Sequence, residues 1–214
     1  MSALAVAHSR PDVQAPRGAV AAEPSAWGPD GGPVSIVIVP GWRDSGPGHW
    51  QSLWAERLPG AVRVVQDDWM SPTRAAWIGA LERTVLAAPH PVVIAAHSLG
   101  CIATTHMGPE AAARVQGALL VAPADPERRA VLSDFAPVPY ARLPYRNILV
   151  ASSNDPFCPI RLAGAYARAW GSEFVRLQNA GHVNLDSGHG EWPLGLALLQ
   201  SLVQGLGWGQ AISA

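Results

Sequence analysis

A chain of 214 residues, 49% hydrophobic and only 14% charged, is long enough for one folded domain and too apolar for a disordered one. Its formal net charge of −1 argues against a nucleic-acid partner, and no apolar run approaches the roughly 18 residues of a membrane span. Two cysteines, Cys101 and Cys158, lack the C-x-x-C spacing of a zinc site and are too few for a disulfide framework, so they read as free thiols in a reducing cytoplasm.

Residues 1–32 are rich in Ala, Pro and Gly and show no sustained period. They are expected to form a flexible tail, which leaves 33–214 as the folded domain. The first predicted strand is the apolar run at 34–39, stopped by Pro40-Gly41. A helix is predicted over 49–58, with Trp50, Leu53, Trp54 and Leu58 on one face. A second strand is predicted at 61–66. Ser71 and Pro72 then read as N-cap and first residue of a helix whose stripe is Trp77, Ile78, Leu81, Val85 and Leu86.

The third strand, 92–97, runs straight into His97-Ser98-Leu99-Gly100, where the pattern turns helical to about 106. A further helical turn is expected at 109–114 and a fourth strand at 117–122. The segment 123–146 is long, irregular and proline-rich; it is too short to fold as a cap and is placed to flank a site. A fifth strand at 147–152, a helix at 159–170, a sixth strand at 173–178 and a helix at about 191–206 complete the chain. Strands alternating with helices, each strand nearly continuously apolar, imply a mainly parallel six-stranded sheet covered by helices on both faces.

Open parallel sheets place their sites past the carboxyl ends of the strands. Past the third strand, A-x-S-x-G at 96–100 has the spacing of a nucleophile elbow, with alanine at the first small position. Past the fifth lies Ser153-Asn154-Asp155-Pro156, and past the sixth Asn179-Ala180-Gly181-His182. Serine, aspartate and histidine in this order, each just beyond a strand, match the α/β-hydrolase arrangement. Ser98 is therefore the expected nucleophile, His182 the base that takes its proton, and Asp155 the carboxylate that orients the imidazole.

Rival assignments exist for the base and the acid. His189 follows His182 closely but lies farther from the strand end, and His97 reads as packing beside the elbow. Asp125, after the fourth strand, is the competing acid; Asp67 and Asp68 read as loop or cap residues. The backbone N–H groups of Leu99 and Trp42 are the expected oxyanion donors. His49, Trp50 and Trp69 are candidate substrate contacts, with capping and core packing as the competing roles. The first loop lacks G-x-G-x-x-G, there is no P-loop lysine, and no H-E-x-x-H or clustered Cys/His pattern suggests a metal, so neither cofactor nor metal is expected.

These residues carry a resemblance. VPGW at 39–42, GHW at 48–50, QDDW at 66–69, HSLG at 97–100, SSNDPFCP at 152–159 and GHVNLDSGHGEWP at 181–193 resemble, in order, the small α/β-hydrolases of the YdeN and retinoblastoma-binding-protein-nine family. The resemblance implies a compact α/β-hydrolase domain without a large cap, and a triad at Ser98, Asp155 and His182. It also implies serine-hydrolase activity on small esters, and in some members amide-cleaving or aminopeptidase-like activity. The expectation is a cytoplasmic serine hydrolase acting on a small-molecule ester, with no nucleic-acid or membrane partner. The alternatives are an amidase using the same triad and an interaction protein built on a hydrolase fold.

Overall fold

The computed structural model describes residues 33–204. The expected tail at 1–32 and the end of the expected last helix at 205–206 lie outside the described residues. Six parallel strands form one sheet: β1 (Ser35–Val39), β2 (Ala61–Arg63), β3 (Val92–His97), β4 (Val115–Val121), β5 (Arg146–Ser152) and β6 (Glu173–Leu177). Their order across the sheet is β2-β1-β3-β4-β5-β6. The helices are α1 (Trp50–Arg57), α2 (Arg74–Ala87), α3 (Leu99–Thr105), α4 (Pro109–Ala112), α5 (Ile160–Trp170) and α6 (Pro193–Val203).

Side chains alternate across each strand, so one apolar run feeds two cores. Ile36 and Ile38 of β1 join Trp50 and Trp54 of α1 and Leu198 and Leu199 of α6 on one face. Val37 and Val39 join Trp77, Leu81 and Val85 of α2 and Ile102 of α3 on the other, where α5 adds Ala163 and Trp170. This two-sided burial explains why the central strands β1 and β3 are almost continuously apolar. The chain leaves β2 on one side of β1 and returns as β3 on the other. The loops after β1 and β3 therefore diverge and open a crevice at the carboxyl edge of the sheet.

The structure adjusts three boundaries. Helix α2 is capped by Thr73, whose hydroxyl accepts from the Ala76 N–H at 3.4 Å, and not by Ser71. The reason lies upstream: the Asp68 carboxylate accepts from the N–H groups of Met70 (2.7 Å) and Ser71 (2.9 Å), holding Ser71 in a separate turn. β2 ends at Arg63 because it is an edge strand; after the Val64 N–H reaches Ile38 O at 2.9 Å, the chain departs and Val65 is exposed. β4 begins at Val115, where a register shift pairs Val92 with Val115 and Val93 with Gly117.

The segment after β4 is neither open coil nor a cap. Two 3₁₀ turns, Pro126–Arg128 and Ala130–Phe135, run across the site, and Leu132 and Phe135 anchor them in the core against Trp77. No helix among the described residues is long and apolar enough to cross a membrane.

Candidate active site

Ser98 sits on the turn between β3 and α3 with φ 54° and ψ −119°, a conformation that non-glycine residues rarely adopt. The turn is over-determined. Ser98 N–H donates to Val121 O (3.0 Å), and its carbonyl accepts from Cys101 N–H (3.1 Å) and Ala124 N–H (3.2 Å). A Cβ at Gly100 would collide with the carbonyl oxygens of Val39 and Pro40, so glycine there lets α3 start directly against the end of β1. A Cβ at Gly41 would lie 2.7 Å from Ser98 Cβ. Alanine at 96 fits because it lies in β3 and does not need a positive φ.

The serine hydroxyl lies 2.9 Å from His182 Nε2. His182 Nδ1 lies 3.0 and 2.9 Å from the two carboxylate oxygens of Asp155. With Nδ1–H donating to the carboxylate, the Nε2 lone pair is left to accept from the Ser98 O–H. Asp155 Oδ1 also accepts from Phe157 N–H at 2.8 Å, which fixes the carboxylate. The Phe157 ring lies 4.5 Å from the His182 ring, shielding it on one side. Both partners of this contact are withdrawn from water, with side chains 8% and 2% exposed.

The loop after β1 brings Trp42 to the same crevice. Neither the Trp42 nor the Leu99 N–H is engaged in a turn or loop hydrogen bond among the described residues. The loop is braced from below by Gln51, which is fully buried. Gln51 Nε2–H donates to Val39 O (2.9 Å) and Ala95 O (3.0 Å), and its Oε1 accepts from Ser45 O–H (2.6 Å). Arg63 pairs with Asp44 and also donates to Ser45 O at 2.9 Å.

A cavity of about 400 Å³ opens above Ser98 and His182. Its walls include Trp42, His49, Asp125, Arg129, Phe157 and Leu185. The Arg129 guanidinium lies over the rings of both Phe157 (4.7 Å) and Trp42 (5.5 Å), spanning the mouth. His49 caps α1, its Nδ1 accepting from Gln51 N–H at 3.1 Å. The proton is thus on Nε2, which has no hydrogen-bond partner among the described residues. Burial above all, with Arg63, His182 and His189 adding repulsion, pushes the His49 pKa down to about 4 and keeps the ring neutral.

Two expected substrate contacts fall elsewhere. Trp50 is fully buried in the face shared by α1 and α6, packed 4.6 Å from Trp54, and does not line the cavity. Trp69 packs edge-on against Trp77 at 5.7 Å, behind the wall. Of the rivals, Asp125 lines the cavity but spends one oxygen capping the 3₁₀ turn through Glu127 N–H (3.1 Å), not orienting His182. His189 bonds Ser187 at 3.2 Å and lies against Trp192. Gln51, Phe157 and Arg129 escaped the sequence reading. Gln51 directly follows GHW and Phe157 lies inside SSNDPFCP, but neither residue type signals a role without its neighbours in space.

Comparison with known proteins agrees with this architecture. A family model described as serine hydrolase matches residues 36–201. A YdeN-like hydrolase from Pectobacterium atrosepticum is 34% identical, with a TM-score of 0.73 over 80% of this chain and 91% of that one. The ydeN gene product of B. subtilis is 20% identical, with a TM-score of 0.66 over 79% of this chain and 98% of that one. A hydrolase of the α/β superfamily from Xanthomonas campestris is 18% identical, with a TM-score of 0.56 over 81% and 98%. A search of curated proteins returned no match.

Proposed function

We propose, from the premise that this chain belongs to the serine hydrolase family and has the α/β-hydrolase fold, that it cleaves a small carboxylic ester through an acyl-enzyme on Ser98. The observation that carries the reading is the unbroken hydrogen-bond line Asp155–His182–Ser98 at the floor of a cavity. Ser98 attacks the carbonyl carbon as His182 Nε2 takes its proton. The imidazolium, stabilised by Asp155, then protonates the departing alkoxide. Water repeats the sequence on the acyl-enzyme and releases the acid. The N–H groups of Leu99 and Trp42 receive the oxyanion, each such donor supporting about 10²–10³ in rate.

His49 is the proposed contact to the substrate beyond the reacting carbon, because its Nε2–H is a buried side-chain donor in the wall with no partner among the described residues. A cavity of this volume accommodates a small molecule. The domain is proposed to span 33–214, with 1–32 outside the hydrolase fold. The cysteines Cys101 and Cys158 are free and buried, which supports a cytoplasmic setting.

The test is steady-state turnover of p-nitrophenyl esters of increasing acyl length beside amino-acid amides, wild type against Ser98→Ala. Ester turnover that vanishes in the variant is expected. Amide turnover exceeding ester turnover would reassign the substrate class while keeping the triad. No turnover of either class by the wild type would favour an interaction protein on a hydrolase fold.

A further inference from the structure

The loop that carries His182 has an expensive backbone. Asn179, Gly181 and Val183 have φ of 52°, 58° and 49°. Glycine and asparagine tolerate this region, but a β-branched valine does so only under constraint. Val183 is also fully buried, so the loop cannot relax by swinging it into water.

The constraint is visible, and it comes from two sides. From the end of β5, Ser153 Oγ accepts from Asn179 N–H (2.9 Å), Ser152 Oγ from Ala180 N–H (2.9 Å), and Asn154 Oδ1 from Gly181 N–H (2.8 Å). Ser152 O–H donates in turn to Asn154 Oδ1 at 2.8 Å, tying the set together. From the opposite side, His97 Nε2–H donates to the carbonyl of His182 itself (2.8 Å), and Trp50 Nε1–H donates to the carbonyl of Val183 (3.0 Å). Five consecutive residues, 179–183, are each held by a side chain from outside the loop.

The sources of these bonds are informative. His97 directly precedes Ser98, and Asn154 directly precedes Asp155. The neighbours of the nucleophile and of the acid therefore both reach the loop of the base, so that any displacement of His182 is resisted by the two elements it must meet. We infer that Asn154, His97 and Trp50 are positioning residues for the general base, clamping the strained 179–183 loop so that His182 stays within hydrogen-bond reach of both Ser98 and Asp155. The inference rests on the triad reading. Its consequence is kinetic: Asn154 and Trp50 do not line the cavity, so their loss misplaces the base and leaves the cavity wall intact, and a misplacement of ~1 Å is worth up to ~10²-fold in rate.

The experiment uses the full chain as wild type, Asn154→Ala, Asn154→Asp and Trp50→Phe. Asn154 is exposed, so its truncation spares the core; aspartate keeps the acceptor oxygen, and phenylalanine keeps a ring while deleting the N–H. Asn154→Ala and Trp50→Phe are expected to lower kcat by about 10- to 100-fold while KM moves less than about twofold. Asn154→Asp is expected to recover kcat to within about threefold of wild type. Proton NMR gives a readout independent of turnover: the low-field resonance of the His182 Nδ1–H should broaden in Asn154→Ala and Trp50→Phe and persist in Asn154→Asp. Unchanged kcat and an unchanged resonance in both deleting variants, with only the melting temperature lowered, would overturn the clamp. A wild-type Ser98 that reacts with no ester would instead defeat the triad reading, and the resonance would still judge the clamp.

Discussion

Ser98 and His182 meet at 2.9 Å but are held there by different means. Ser98 is fixed by main-chain hydrogen bonds to Val121, Cys101 and Ala124 and by sterics, with glycines at 41 and 100 that let three backbones crowd together. His182 sits on a loop with little structure of its own, held by side chains from Trp50, His97, Ser152, Ser153 and Asn154. Both sites carry positive-φ backbone at non-glycine residues, Ser98 and Val183, each a cost of roughly 1–3 kcal/mol. The strain at Ser98 is balanced by main-chain partners; that at Val183 lies in a loop held by side chains. The lesson is that the Ser98 turn is set by backbone packing that glycines permit, whereas the His182 loop depends on particular side chains.

The comparison can be broken most severely at the link between the two sides. Asp155→Asn should keep the fold and the loop but favour the wrong imidazole tautomer, lowering kcat by about 10⁴-fold for any ester tested. A loss below tenfold would mean that Asp155 does not orient His182. On the Ser98 side alone, Gly41→Ala places a methyl 2.7 Å from Ser98 Cβ unless the backbone shifts. Displacing the nucleophile in this way should lower kcat by up to ~10²-fold. Tm should fall less than in Gly100→Ala, where the collision with the main-chain oxygens of Val39 and Pro40 is closer still. The reverse order of Tm changes would show that the elbow is not packed as described.

The smallest effect sharpens the difference with acid. Burial lowers the pKa of His49 to about 4 and that of His97 well below its usual value, and both stand beside the base. Below pH 6.5 the unfolded chain takes up protons that the folded chain refuses. Stability should therefore rise with pH across the window from about 4 to 6.5 and be lost as pH falls through it. Each histidine contributes up to ~1.4 kcal/mol per pH unit. Calorimetry between pH 7 and 5, above the range where carboxylates dominate, should show Tm falling, and His49→Asn, which keeps an N-cap oxygen, should flatten the fall. A Tm independent of pH over that interval would mean that these histidines are not held neutral.

Most of the sheet, and the meeting of Ser98, Asp155 and His182 at one edge of it, were legible in the sequence because both depend on local signals. Apolar runs of strand length, turn residues at their ends, and Ser98, Asp155 and His182 each just beyond a strand need no knowledge of packing. The misreadings share one physical cause. Trp50 and Trp69 are large, amphipathic and close in sequence to the site, yet whether such a ring faces a cavity or a core is decided by its neighbours in space: Trp54 and Trp192 enclose Trp50, and Trp77 meets Trp69. The start of α2 slipped from Ser71 to Thr73 because Asp68 competes for the Ser71 N–H. Gln51 and Asn154 carry no signal as residue types; only their partners in the folded chain, two strand ends and a distant loop, reveal them.

The central claim is that Ser98 is a nucleophile activated by His182. A fluorophosphonate probe tests it most directly, because it reacts only with an activated serine and needs no knowledge of the natural substrate. Intact mass and peptide mapping should show one adduct per chain, on Ser98 in the wild type and absent from Ser98→Ala, with His182→Ala labelled at least ~10²-fold more slowly. An unlabelled wild type, or equal labelling of Ser98→Ala, would contradict the account.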